Sequence, residues 1–336
     1  MLPERPVIAV VGAGAVGGYY GARLAQHGHD VHFLLRSDYD AVRQNGWTVE
    51  SRDGDFRLPA SSVHVYDDPR KMPRADLVVV TLKSTANDQF ERLITPLLHD
   101  QTAILTLQNG LGNEDRLADL FGAKRVLGGM AFVCINRAGP GVVRHTDHGI
   151  IRLGEFVGPG KSARSERVAG MFAGSEVPCV VLDDLRWGRW QKLTWNIPFN
   201  GLGAALDLTT DQLIGTAEGR RLVAELIREV IAAAKTDGVA LPDELAETQI
   251  ENTTTMGPYR SSMQVDRQEG RLMEVEAILG EPLRRAEAKG VKTPILAALY
   301  RAARVVDAAR GAPDAFIPSA SEGGDPGAAT ASTHGA

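Results

Sequence analysis

The sequence predicts an α/β domain with a parallel sheet, followed by an all-helical domain. Three observations predict it. Apolar runs at 5–11, 29–35, 75–83 and 101–110 are nearly continuous, the pattern of strands covered on both faces. The first run leads into Gly12-Ala13-Gly14-Ala15-Val16-Gly17, a G-x-G-x-x-G match placed between a strand and a helix. That context is the one in which a Rossmann-type dinucleotide-binding domain uses it. From Leu185 onward the texture changes to apolar residues at helical spacing. The expected division is 1–184 for the nucleotide domain, 185–316 for a helical substrate domain and 317–336 for a disordered tail.

Taken in order, RPVIAVV (5–11) is a buried strand, and a helix follows the glycines from about Val16 to His27. HDVHFLL (29–35), ADLVVVTLK (75–83) and QTAILTLQNG (101–110) are the next strands, with helices over Asn87–Leu98 and Glu114–Phe121. Residues 125–156 break into shorter strands with Gly-Pro and Asp-His-Gly turns, as in hairpins, and VPCVVLDD (177–184) closes the domain. RRLVAELIREVIAAAKTDG (220–238) has helical spacing and stops at Gly238, ahead of Pro242. Two more helices are expected over 271–290 and 294–310.

Charge and cysteine usage narrow the function classes. With 37 Lys+Arg against 42 Asp+Glu the net charge is −5, which favours neither nucleic acid nor an anionic membrane as partner. Cys134 and Cys179 have no metal or redox spacing, and the eight histidines form no convincing ligand set, so no metal is expected. The N-terminus has no signal-peptide pattern and no run spans a bilayer, which makes the cytoplasm the expected compartment. Either a monomer or a homodimer is compatible with the sequence.

The glycine turn is expected to bind a dinucleotide. Gly12 permits the tight turn, Gly14 lets backbone approach a pyrophosphate, and Gly17 lets helix and strand pack. Free N–H groups at the helix start favour the anion. An NAD enzyme carries Asp or Glu near the end of the second strand; here Arg36 takes that place, and a guanidinium suits a 2′-phosphate. The expected cofactor is therefore NADP(H), although Asp38 lies close by. Ligands of open parallel sheets sit beyond the carboxyl ends of the strands. Lys83 and Asn109 occupy two such ends, and are candidates for contacts to the cofactor ribose and to a substrate carbonyl.

WGRWQKLTWNIPFNGL (187–202) places Lys192, Asn196 and Asn200 four residues apart. On a regular helix each such step turns only about 40°, so one ammonium and two carboxamides point the same way. Asn200 joins that row only if the helix continues past Pro198. Hydride delivery to a ketone leaves negative charge on its oxygen. A lysine of ordinary pKa, near 10.4, is protonated at neutral pH and can both polarise the carbonyl and donate the proton.

With these residues in view, the chain resembles the ketopantoate reductase family over roughly residues 5–310. The likeness is carried by GAGAVGG, Arg36, TLKS, LQNGLGNED, W-QKLTWNIPFNG and SSMQVDRQEGRLMEVEAILG. It implies a Rossmann domain and a helical domain like that of 6-phosphogluconate dehydrogenase relatives. The implied reaction is NADPH-dependent reduction of 2-dehydropantoate to (R)-pantoate, a step of pantothenate synthesis. By motif, Lys192 matches the general acid, Asn196 and Asn200 the substrate asparagines, and Ser262 the serine near the substrate carboxylate. Glu274 matches the glutamate near cofactor and substrate hydroxyls, and Lys83 and Asn109 match cofactor contacts. Glu274 lies about 120° round a regular helix from Ser262, so a shared pocket requires a bend, for which Gly270 offers a place. The chain also departs from the family pattern. It has Thr210 where a further substrate asparagine is expected, and Pro258-Tyr259-Arg260 ahead of the serine pair. A reductase of another 2-oxo acid, and a redox sensor that binds NADP(H) without turnover, are the competing readings.

Overall fold

Ten strands form one sheet: β1 (Val7–Val11), β2 (Asp30–Leu34), β3 (Trp47–Ser51), β4 (Phe56–Leu58), β5 (His64–Tyr66), β6 (Leu77–Val80), β7 (Ala103–Thr106), β8 (Val126–Gly139), β9 (Val142–Glu155) and β10 (Cys179–Val181). The structure is a computed structural model, and it describes residues 2–158 and 160–309. The tail expected at 317–336 lies outside them. Strands β5-β2-β1-β6-β7-β8 are mutually parallel and run in the 3-2-1-4-5-6 order of a Rossmann sheet. The hairpin β8–β9 then turns the sheet antiparallel, and β3 and β10 pair with β9, so the sheet as a whole is mixed.

The core strands form where the sequence is continuously apolar. Leu77–Val80 and Ala103–Thr106 are buried at every position, because helices cover both faces. No strand is expected between residues 36 and 74, although Trp47–Ser51 and Phe56–Leu58 alternate about Asp53-Gly54, the pattern of a hairpin. Three short strands nevertheless form there, β3 and β4 by docking Trp47 and Val49 into the core beside β9. The Asn87–Leu98 segment also differs from the single helix expected. It is a 3-10 turn, a five-residue α-helix and a second 3-10 turn, with Pro96 in the last of them.

Helix α1 (Ala15–Gln26) leaves the glycine turn, and α2 (Asn113–Phe121) leaves the Asn109 turn. Gly12 has φ +90°, and a Cβ there would lie 2.6–2.8 Å from Leu82. The close approach of two strand ends therefore requires glycine. Beyond β10, Asp184 caps the 22-residue helix α3 (Leu185–Leu206) by accepting from the N–H groups of Arg186 and Trp187. Pro198 does not end it; α3 runs unbroken past Asn200. Around α3 pack α4 (Ala217–Thr236), α5 (Leu245–Thr254) and α6 (Ser262–Gln268), while α7 (Glu281–Ala288) packs on α4, and α8 (Pro294–Ala309) on both α3 and α4. Trp190, Ile197, Val223, Val230 and Leu296 form the centre of that second core. Among the described residues no helix is long and apolar enough to cross a membrane, and no group of His, Cys, Asp or Glu is placed to hold a metal ion.

Candidate active site

Helix α3 packs against β8 and β9, and Lys192 sits at that contact, beside the Asn109 turn that follows β7. Its Nζ donates to Asn109 Oδ1 at 2.8 Å and to the Ala131 carbonyl at 2.8 Å. An ammonium has three N–H groups, so one remains for a third acceptor. The Phe132 ring lies 5.2 Å from the same nitrogen. Burial, reinforced by the positive charge of Arg189, pulls the Lys192 pKa down to about 7, against a weaker opposing pull from Glu274. An ordinary lysine pKa holds only for a lysine that is not strongly desolvated, and desolvation is what the tertiary structure imposes here.

Asn109 is held by a chain of hydrogen bonds that runs from a threonine hydroxyl through three side-chain amides. Thr106 Oγ1 donates to Gln108 Oε1, Gln108 Nε2 to Asn87 Oδ1, Asn87 Nδ2 to Asn113 Oδ1, and Asn113 Nδ2 to the Asn109 carbonyl, all at 2.8–2.9 Å. Arg189, one helical turn before Lys192, donates to the Gln108 carbonyl at 2.7 Å and pairs with Glu114, both side chains being almost wholly buried. The turn is fastened on the other side as well. Glu281 N–H bonds five residues back to the Glu276 carbonyl in a π-turn, and the next donor in that register would be Pro282, which has no N–H. The Ala277 carbonyl accepts instead from Leu111 N–H at 2.9 Å. Gly110, with φ +87°, passes so close that a Cβ would lie 2.3 Å from that carbonyl oxygen.

The other expected site residues fall into two groups. Asn196, one turn beyond Lys192, is 5% exposed, with no amide partner among the described residues. Asn200 is buried, and its Oδ1 accepts from Ser262 Oγ at 3.0 Å and from Met263 N–H at 3.1 Å, which ties α3 to the start of α6. Thr210, where an asparagine was expected, bonds the Gly257 carbonyl at 2.8 Å and so holds the loop ahead of Ser262. Across the cleft, Lys83 Nζ pairs with Asp266 at 2.6 Å and lies 3.7 Å from Glu274. Helix α6 ends at Gln268, Gly270 takes φ +67°, and the chain doubles back to bring Glu274 beside Asp266. Glu274 Oε1 accepts from Ser84 N–H at 2.8 Å. Burial opposes charge on Lys83, but Glu274 and then Asp266 outweigh it and raise its pKa.

At the nucleotide end, the first turn of α1 carries no acidic residue, and a Cβ on Gly14 would meet nothing nearer than the Gly12 carbonyl at 4.0 Å. That open cradle of N–H groups fits a pyrophosphate. Arg36 is exposed and has no ion pair among the described residues. Asp38 is engaged elsewhere: 3% exposed, it pairs with Arg137 at 2.7 Å and accepts from Gly141 N–H at 3.3 Å. Sequence reasoning missed Arg189, Glu114, the Ala131 carbonyl and Phe132. A backbone carbonyl leaves no trace in a sequence, and the charged pair is 75 residues apart in the chain.

Fold and cleft together are those of a Rossmann-type oxidoreductase with a second, helical domain. The comparisons with known proteins specify which. The models named "Ketopantoate reductase PanE/ApbA" and "Ketopantoate reductase PanE/ApbA C terminal" match residues 8–158 and 184–307. The chain belongs to the ketopantoate reductase family. It is 44% identical over 303 residues to a 2-dehydropantoate 2-reductase of Nostoc sp., covering 89% of this chain and 94% of that one. A crystal structure of 2-dehydropantoate 2-reductase from Geobacter metallireducens superposes with a TM-score of 0.86 at 47% identity, covering 89% of this chain and 99% of that one. A D-mandelate dehydrogenase, 23% identical over 90% of this chain and 98% of that one, shares the fold with a TM-score of 0.83.

Proposed function

We propose that the protein reduces 2-dehydropantoate to (R)-pantoate with NADPH, and that Lys192 is the general acid. One observation carries the reading: the Lys192 ammonium, desolvated and fixed by Asn109 Oδ1 and the Ala131 carbonyl, keeps one N–H for a substrate oxygen. A reduced nicotinamide dinucleotide, when bound, supplies the hydride. The chain's own residues do the rest. Lys192 polarises the ketone, then delivers a proton to the oxygen as negative charge develops there. Asn196, with a free amide on the same side of α3, orients the oxo acid. The backbone of Gly12, Ala13, Gly14, Ala15, Val16 and Gly17 fits the pyrophosphate, while Lys83 and Asn109 at two strand ends, and Glu274 of the helical domain against Lys83, supply the further cofactor contacts of this reading.

NADP(H) is preferred to NAD(H) in this reading because Asp38 is committed to Arg137, whereas Arg36 is free to meet a 2′-phosphate. Lys192→Ala tests the assignment of the acid. The variant should fold and bind NADPH, yet turn over 2-dehydropantoate about 10²–10⁴-fold more slowly. Near-normal rates would remove the lysine from the mechanism. Saturation kinetics of the wild-type chain with 2-dehydropantoate beside other 2-oxo acids tests the substrate, and a better kcat/KM for another acid would replace it.

A further inference from the structure

Asp38 falls where a Rossmann enzyme reads the ribose, just past the end of β2 and about 20 residues beyond the glycine motif. A carboxylate at that place accepts from the ribose hydroxyls of NAD(H) and repels a 2′-phosphate. Asp38 also stands at the N-cap position of the short helix Tyr39–Asn45, yet its side chain makes no cap bond. The carboxylate is turned instead to the tip of the β8–β9 hairpin. Oδ1 pairs with Arg137 at 2.7 Å and accepts from Ser37 Oγ at 2.9 Å, and Oδ2 accepts from Gly141 N–H at 3.3 Å. The Asp38 side chain is 3% exposed and that of Arg137 43%, so the acid is covered while the guanidinium faces outward.

The hairpin reaches this place by running along α1. Tyr20, in the body of α1, donates to the Gly149 carbonyl at 3.1 Å, and a Cβ on Gly18, nearer the start, would lie 3.0 Å from Val143. Continuing in that direction, Gly141 comes against Val42, with Arg137 opposite Val143 on the facing strand. The tip therefore lies toward the end of α1 that leaves the glycine turn. Arg36 is at that same edge, because β2 runs parallel to β1 with Leu34 opposite Val11.

We propose that Arg137 sets the cofactor preference: it draws the Asp38 carboxylate out of the ribose site and into the hairpin, which leaves Arg36 as the charge that meets the 2′-position. Arg137 is a positioning residue, acting through Asp38. The proposal rests on the NADP(H) reading and adds the residue on which that preference depends.

Fluorescence titration with NADPH and with NADH tests it on the wild type, Arg137→Gln, Arg137→Lys and the double variant Arg137→Gln with Asp38→Asn. Once its counter-ion is gone, Asp38 can turn toward the ribose, and like charge should weaken NADPH roughly 10-fold in Arg137→Gln. NADH should hold or tighten. Arg137→Lys can still pair with Asp38 and should keep most of the preference. Asp38→Asn should restore NADPH binding to within about threefold of the wild type in the Arg137→Gln background. Equal losses of NADPH and NADH would mean that the pair only braces the hairpin, and would overturn the proposal, as would unchanged NADPH affinity in Arg137→Gln. Failure of Asp38→Asn to restore NADPH would overturn it too, because Arg137 would then touch the phosphate itself. A wild type that binds NADH as tightly as NADPH would refute the NADP(H) reading, and this proposal with it.

Discussion

Raising the pH through neutrality should switch off the reduction, because it removes the proton that Lys192 must donate. Burial and the Arg189 charge set the Lys192 pKa at about 7, far below the 10.5 of a solvated lysine, with Glu274 pulling the other way. With a pKa near 7, roughly a tenth of the lysine is protonated at pH 8 and roughly a hundredth at pH 9. The kcat/KM for the oxo acid, measured as initial rates of NADPH oxidation, should be level below pH 7 and fall about tenfold per pH unit above it. A solvated lysine would keep it level to about pH 10. Glu274→Gln removes the carboxylate that holds the proton on, so its break should move to lower pH. A profile level to pH 9.5 in a folded, NADPH-binding enzyme refutes either the desolvation or the role of Lys192. Stability carries the same signature. Because the folded pKa is the lower one, the unfolded chain holds the extra proton between about pH 7 and 10.5. The contribution of this site to stability therefore rises across that window and is lost as pH falls through 7.

Three further outcomes follow from the contacts. Arg36→Glu should weaken NADPH roughly 10–100-fold while hardly changing NADH, as read by fluorescence titration; equal losses would undo the cofactor assignment. Gly110→Ala puts a Cβ 2.3 Å from the Ala277 carbonyl in a left-handed conformation, and should cost about 1–3 kcal/mol in urea unfolding while lowering kcat. An unaltered midpoint would show that the turn relaxes freely. Arg189→Met strands the buried Glu114 carboxylate, a loss of about 3–5 kcal/mol, whereas Arg189→Met with Glu114→Gln should recover much of it. Similar losses in both variants would mean that packing, not the pair, holds the Asn109 turn.

The Rossmann half of the fold was legible because its signals are local. Continuous apolar runs such as LVVV and AILT encode strands buried on two faces, and the glycine turn after β1 follows from the approach of Leu82. The β3–β4 hairpin about Asp53-Gly54 was passed over although its alternation is local, whereas β5 is three residues long and held by pairing with β2, whose position only the assembled sheet supplies. In the cleft, the row Lys192–Asn196–Asn200 was visible as a helical repeat, and Pro198 left open whether it continued. Packing of α3 on all sides carries the helix through the proline.

What the sequence by itself determined is the inventory and the local register: which strands end in polar turns, and which side of α3 bears the amine and amides. The tertiary structure decided the chemistry those groups can perform. Lys192 meets Asn109 across 83 residues of chain, Lys83 meets Asp266 across 183, and Arg189 meets Glu114 across 75. A pKa depends on how much water is excluded and which charges are near, and both are set by segments distant in sequence. Periodicity reports one element at a time, so the solvated lysine of the sequence becomes the neutral-range acid only when β8, the Asn109 turn and α3 close around it.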